Sequence, residues 1–323
     1  MKKRALIIGI SGQDGSYLAE LLLSMDYEVH GLVRRHSNEF VKYKRIEHIL
    51  DKLTLYNGDV TDLSSIQNAI IRSSPHEVYN LAAQSHVTVS YENPIYTTNV
   101  VALGTLNILE AIRNYAPYAR FYQAGSSEMF GNSIDSDGFQ RETTHFSPAN
   151  PYACGKVFSH SIVKNYRNAY GLFACNGILF NHESPRRGEQ FVTSKVVIEA
   201  VKISKGLSNT LKLGTLSTSR DWGHAKDYVY AMWLILQHER PDDFVCATGE
   251  THTIEQLCEY VFSKLGLNYK EYVVIDSGLS RPEETRNLKG DSSKLRTTLG
   301  WRPKYSFETL LDDMIEFYQK VYL

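Results

Sequence analysis

Three glycines spaced three residues apart, Gly9, Gly12 and Gly15, constrain this chain more than any other feature. They separate a continuous apolar run, Ala5-Leu6-Ile7-Ile8, from Tyr17-Leu18-Ala19-Glu20-Leu21-Leu22-Leu23, whose apolar residues recur at helical spacing. An unbroken apolar run of this length reads as a parallel strand covered on both faces. Glycines at a strand-to-helix turn let the backbone bend sharply and approach a pyrophosphate. The free N–H groups and dipole of the helix N-terminus then favour that anion. The spacing predicts a dinucleotide site, and with it an α/β architecture.

Strand and helix patterns alternate beyond it. Strands are expected at 28–33, 53–56, 78–83, 121–124, 173–180 and 244–249, and helices at 64–71, 99–114, 192–204, 224–236 and 253–265. The alternation predicts a doubly wound parallel (Rossmann) sheet with a smaller, interwoven C-terminal α/β substrate lobe. Residues 1–180 form mainly the dinucleotide-binding domain, 220–250 return to it, and 181–323 form mainly the lobe. The second strand ends in Arg34-Arg35, where NAD-binding folds usually carry an acid for the ribose hydroxyl. A guanidinium fork suits a 2′-phosphate instead, so the expected cofactor is NADP. Ala82 and Ala83, at the end of another strand, leave room for the cofactor to pass.

Charge excludes some partners. Thirty-five basic against 36 acidic residues leave a net charge of −1, so no overall basic field points to nucleic acid or an anionic membrane. The four cysteines have neither metal-site nor disulfide spacing, and no metal is expected. No apolar run reaches the roughly 18–20 residues of a membrane span. The basic start Lys2-Lys3-Arg4 leads into an apolar stretch too short for a signal peptide. A cytoplasmic protein is expected.

The chemistry concentrates in two stretches. Asn150-Pro151 marks a chain reversal into a helix that carries Tyr152 and Lys156 four residues apart, on one face. An ammonium beside a phenol is expected to lower its pKa from about 10, making the Tyr a base for a hydroxyl proton. The strand at 121–124 delivers Ser126 and Glu128 to the sheet's C-terminal edge, where ligands of such folds sit. Glu128 sets a carboxylate there as a second candidate base beside Tyr152 and Lys156. A reductase or C4-epimerase needs no such base, and a non-catalytic NADP-binding regulator would need none of these groups.

The glycine loop, Ser126 and the Tyr152/Lys156 pair resemble the extended short-chain dehydrogenase/reductase family of nucleotide-sugar enzymes. Tyr79 to Val87, Phe180 to Gly188 and Arg220 to Tyr228 narrow the resemblance to its GDP-mannose 4,6-dehydratase members, over nearly the whole chain. The resemblance implies a redox-neutral dehydration of a GDP-hexose to a 4-keto-6-deoxy product, with NADP cycling internally. Tyr152, helped by Lys156 and Ser126, would serve C4, and Glu128 would take the C5 proton. It also implies cofactor contacts from Gln13, Asp14, Asp59, Val60, Leu81, Ser85, Tyr96, His182 and Arg187. Ser85, Ser127, Asn181, Lys195, Arg220, Arg281 and Glu284 would meet the GDP-sugar, and a homodimer or homotetramer is expected. The chain departs from that family at Gly125 and Ser126, at Val101, and at Ser217-Thr218-Ser219. These changes suggest an enlarged pocket and admit GDP-N-acetylglucosamine or a GDP-heptose beside GDP-mannose.

Overall fold

A computed structural model describes residues 2–35, 43–279 and 287–323. Seven parallel strands form the main sheet. Six of them are β1 (Arg4–Ile8), β2 (Glu28–Val33), β3 (Leu53–Asn57), β4 (Glu77–Asn80), β5 (Arg120–Ala124) and β6 (Ala174–Leu179). The seventh, Asp243–Cys246, lies at the edge beyond β6, and the order from there is β6-β5-β4-β1-β2-β3. The direction of winding reverses between β1 and β4, which opens a crevice at their C-terminal ends.

Alternate residues of the strands supply two cores. Ala5, Ile7, Val29 and Tyr122 pack with Leu18 and Leu22 of α1 (Gln13–Ser24) and with Met232 and Ile235 of the Ala225–Gln237 helix. Leu6, Ile8, Val78 and Phe121 face the other way, onto Ile66, Ile108, Ile112 and Val163. Those four belong to the helices Leu63–Ser73, Gly104–Tyr115 and Pro151–Tyr170. Both sheet faces are thus covered, as the apolar runs required. A third core joins the helices Val192–Ser204, Ile254–Lys264 and Phe307–Val321 into the smaller lobe.

The lobes interweave more than the sequence reading expected. Residues 225–246 return to the main sheet, and so does the 293–301 segment, whose Leu295 and Trp301 are buried in the first core. The helix expected at 99–114 also differs. It begins at Pro94 and passes through a π-helical turn, Asn99–Leu103. The Val101 carbonyl accepts from the hydroxyls of Thr105 and Ser159, both at 2.8 Å, and side chains inserted into a helical ladder in this way loosen it locally. By length and composition the whole stretch Pro94–Tyr115 could cross a membrane, contrary to the sequence expectation. Its buried face, however, carries Ile108, Leu109 and Ile112 of the second core, as in a helix packed inside a protein.

Candidate active site

The glycine loop is built by close approach. Gly9 has φ +89°, a left-handed conformation that favours glycine, and a Cβ there would lie 3.0 Å from the Ala82 nitrogen. A Cβ on Gly15 would sit 2.3 Å from the Gly9 carbonyl oxygen. Gly12 is the N-cap of α1, and among the described residues no side chain caps that helix, so its first N–H groups suit a ligand. The loop therefore fits a dinucleotide pyrophosphate on its own geometry.

Above it, between the two lobes, lies a cleft of about 640 Å³. Of the residues singled out in the sequence, Gly12, Asp14, Leu81, Ala83, Ser85, Ser126, Ser127, Glu128, Tyr152 and Lys156 line it from the sheet side. Asn181, His182, Arg187, Lys195 and Arg220 line it from the other. The Asn181 side-chain oxygen is buried without a hydrogen-bond partner among the described residues, as expected of a group that faces a polar ligand.

Tyr152, Lys156 and Glu128 are 8, 3 and 9 % exposed, and they reach the cleft from two elements. Tyr152 and Lys156 stand on the first two turns of the Pro151–Tyr170 helix, which Pro151 opens. The Lys156 ammonium lies 5.6 Å from the Tyr152 ring centre and donates to the Ala124 carbonyl at 2.6 Å, tying the helix to the end of β5. Ser126 accepts from the Glu128 N–H at 3.2 Å and so starts the short 3₁₀ turn Ser127–Phe130.

The protonation states differ from the sequence expectation. Tyr152 is pushed up to about 12 rather than lowered, because burial disfavours the phenolate; a hydrogen bond with Ser126 pulls the other way, and the Glu128 charge adds to the rise. Burial pushes Lys156 down to about 8, with Asp14 opposing it. Burial alone would also depress His182, but the Asp14 carboxylate 2.8 Å from its Nε2 holds the imidazole above its ordinary value. Burial alone would raise Asp14, and the same pairing keeps it below the usual carboxylate range.

Other expected contacts are engaged within the protein. Gln13 donates to the His182 carbonyl at 3.1 Å and accepts from Ser184 at 2.8 Å, so it staples the glycine loop to the strand Asn181–Glu183. Arg187 stacks over Phe191, 3.6 Å from the ring centre, and pairs with Glu183 at 3.0 Å. Arg34 and Arg35 follow β2 on the surface, and Arg34 donates to the Tyr96 hydroxyl. The Asp59 carboxylate accepts from the Thr61 N–H and hydroxyl at 2.9 and 2.8 Å, within its own turn. Val60 is buried, and Gly104 leaves the space its side chain fills. Gln13, Arg34, Arg35, Asp59, Val60 and Tyr96 do not line the cleft. Arg281 and Glu284 lie outside the described residues.

Two of the departures from the family pattern, Gly125 and Val101, do not open the cleft as expected. A Cβ on Gly125 would point at the Gly177 carbonyl, 2.7 Å away, so that glycine makes room for β6 and not for a sugar. Val101 is buried with Val87 and Tyr152 and is not a lining residue. Thr218 does line the cleft. Sequence reasoning missed Phe191 and Trp222, whose apolar side chains carry no chemical signature.

A family model described as GDP-mannose 4,6 dehydratase matches residues 6–314. GDP-mannose 4,6 dehydratase 2 of Arabidopsis thaliana is 53% identical over 327 residues, covering 98% of this chain and 86% of the relative. GDP-mannose 4,6-dehydratase of Vibrio cholerae is 44% identical over 351 residues, covering 98% and 93%. Among solved structures, UDP-glucose 4-epimerase of Thermus thermophilus in complex with NAD superposes with a TM-score of 0.86 at 26% identity, over 98% of this chain and 99% of that one. dTDP-glucose 4,6-dehydratase of Bacillus anthracis in complex with NAD gives 0.84 at 21% identity, over 98% and 97%, which is a likeness of fold.

Proposed function

The chain belongs to the GDP-mannose 4,6-dehydratase family and is a GDP-sugar 4,6-dehydratase dependent on a nicotinamide dinucleotide; we propose that its sugar is mannose, its dinucleotide NADP, and its working groups Tyr152, Lys156, Ser126 and Glu128. The observation that carries this reading is the convergence of a Tyr–Lys pair and a separate carboxylate on one cleft above a glycine loop. Gly9 to Gly15 and the start of α1 would hold the pyrophosphate, Tyr152 and Lys156 the nicotinamide half. Arg34 and Arg35, two guanidiniums directly after β2, favour a 2′-phosphate. Mannose is favoured over a sugar with a larger C2 group because Gly125 and Val101 spend their altered bulk inside the fold.

When bound, the dinucleotide supplies the redox chemistry, taking hydride from the sugar C4 and returning it to C6, so no outside reductant is consumed. Tyr152 takes the proton of the C4 hydroxyl. Ser126 hydrogen-bonds the phenol and, with the Arg187 charge, favours its ionised form against the cost of burial, while the Lys156 ammonium stands 5.6 Å from the ring centre. The C4 ketone acidifies the C5 hydrogen. Glu128 removes that proton, a C5–C6 double bond forms as the C6–O bond breaks, and the hydroxyl leaves as water with one proton. A proton then returns to C5, and the sum is loss of one water. GDP would lie towards Asn181, Lys195 and Arg220, whose cationic and amide groups suit a diphosphate.

Incubating the purified, NADP-loaded protein with GDP-mannose tests the reading. The product is expected to be lighter by one water without added reductant, and NAD loading should give slower turnover. No turnover of GDP-mannose, or turnover that consumes a stoichiometric reductant, would overturn it.

A further inference from the structure

The two halves of the catalytic apparatus stand on different elements, Glu128 on the turn after β5 and Tyr152 on the helix that begins at Pro151. A proton acceptor for C5 and one for the C4 hydroxyl must be held in register to serve neighbouring carbons of one sugar. Ser126 meets the Tyr152 phenol from the first of these elements, and a second side chain ties Glu128 itself across the gap. Asn150, 5 % exposed, accepts from the Ala153 N–H at 2.8 Å through Oδ1 and donates to Glu128 Oε2 at 3.0 Å through Nδ2. Neither partner allows the amide to be turned over, since an N–H can only donate and a carboxylate can only accept.

We propose that Asn150 is a positioning residue for the dehydration, locking the Glu128 carboxylate to the N-terminus of the helix that carries Tyr152 and Lys156. The inference rests on the reading above that Glu128 takes the C5 proton. The residue type is informative. Ser, Thr, Asp and Asn all cap helices well, so capping alone would accept any of them. Only Asn caps through an oxygen while offering an N–H to a buried carboxylate. Ser is too short and has no second group for Glu128. Asp would set two carboxylates against each other in a buried place. A carboxylate held through one oxygen also loses the freedom to swing about its terminal bonds, which is what a base aimed at one hydrogen requires.

Two variants separate this role from plain capping. N150S keeps a cap and is expected to leave the thermal midpoint and the KM for GDP-mannose unchanged while kcat falls about tenfold. N150D should fall further, to about a hundredfold. Because only the C5 step is impaired, reduced-nicotinamide absorbance should build up during turnover in both variants and not in the wild type. Wild-type kcat in N150S, or a fall in kcat with no such build-up, would overturn the proposal. Should N150S fail to fold, N150D carries the same test. E128Q, run beside them, keeps the two readings apart. If it still dehydrates, the role of Glu128 fails and this proposal with it. If it stalls with reduced cofactor while N150S behaves as wild type, Asn150 alone is wrong.

Discussion

Lys156 is a buried ammonium that stands 5.6 Å from the Tyr152 ring centre. Its pKa falls to about 8 from 10.5 because burial penalises the cation. Between those two values the unfolded chain holds a proton that the folded chain has released. Stability therefore rises with pH across that window, and below about pH 8 the penalty is present in full. Replacing the cation by an apolar stem, K156M, should remove this dependence. The urea midpoint of the wild type is expected to gain on that of K156M between pH 8 and pH 10; a constant difference would contradict the burial argument. The motif was legible in the sequence because helical spacing fixes which side chains share a face. The protonation was not, since the pairing alone suggested a lowered phenol and only burial decides otherwise. The second bond of Asn150 was equally hidden, because it joins residues 22 apart in the chain.

At the scale of elements, the turn that presents Glu128 depends on one glycine. Gly131 closes it with φ 56° and ψ −124°, a conformation costly for any other residue, and donates to the Glu128 carbonyl at 3.1 Å. A Cβ there would lie 1.9 Å from the Ser147 carbonyl oxygen, which is backbone and cannot swing aside. G131A is expected to cost about 3 kcal/mol from strain and overpacking together. It should also depress kcat by shifting Glu128. G138A is the control, since Gly138 has φ +85° but open space around its Cβ position. It should cost only about 1 kcal/mol and leave activity intact. Circular dichroism melting beside dehydration assays checks both, and equal losses would refute the clash. The regular elements were readable from periodicity, as at 192–204, where the apolar stripe gives both ends of the helix. The π turn at 99–103 was not, because one of the contacts at its Val101 carbonyl comes from Ser159 on another helix, which no local pattern records.

For the whole molecule, the end of the chain holds up the cofactor floor. Trp301 is fully buried, donates to the Asp227 carbonyl at 2.9 Å and meets Tyr228 edge-on. The Asp227 carboxylate in turn accepts from the Lys304 and Tyr305 N–H groups at 2.9 and 3.0 Å. These contacts clamp the Ala225–Gln237 helix, which packs on α1 behind the glycine loop. From Ser306 the same segment runs on into Phe307–Val321, a helix of the lobe core. With 225–246 and 293–301 threaded back into the first domain, the core on one face of the main sheet cannot be completed until the chain has passed through the lobe and returned. Unfolding is therefore expected to be a single cooperative event despite the two-lobed shape. W301A should destabilise the protein by about 3–5 kcal/mol through the cavity it leaves. Loss of bound-NADPH fluorescence, which reports the floor, and loss of far-UV ellipticity, which reports the whole chain, should shift together to one lower temperature. If W301A releases NADPH well before the ellipticity falls, the floor unfolds on its own and the lobes are separable domains.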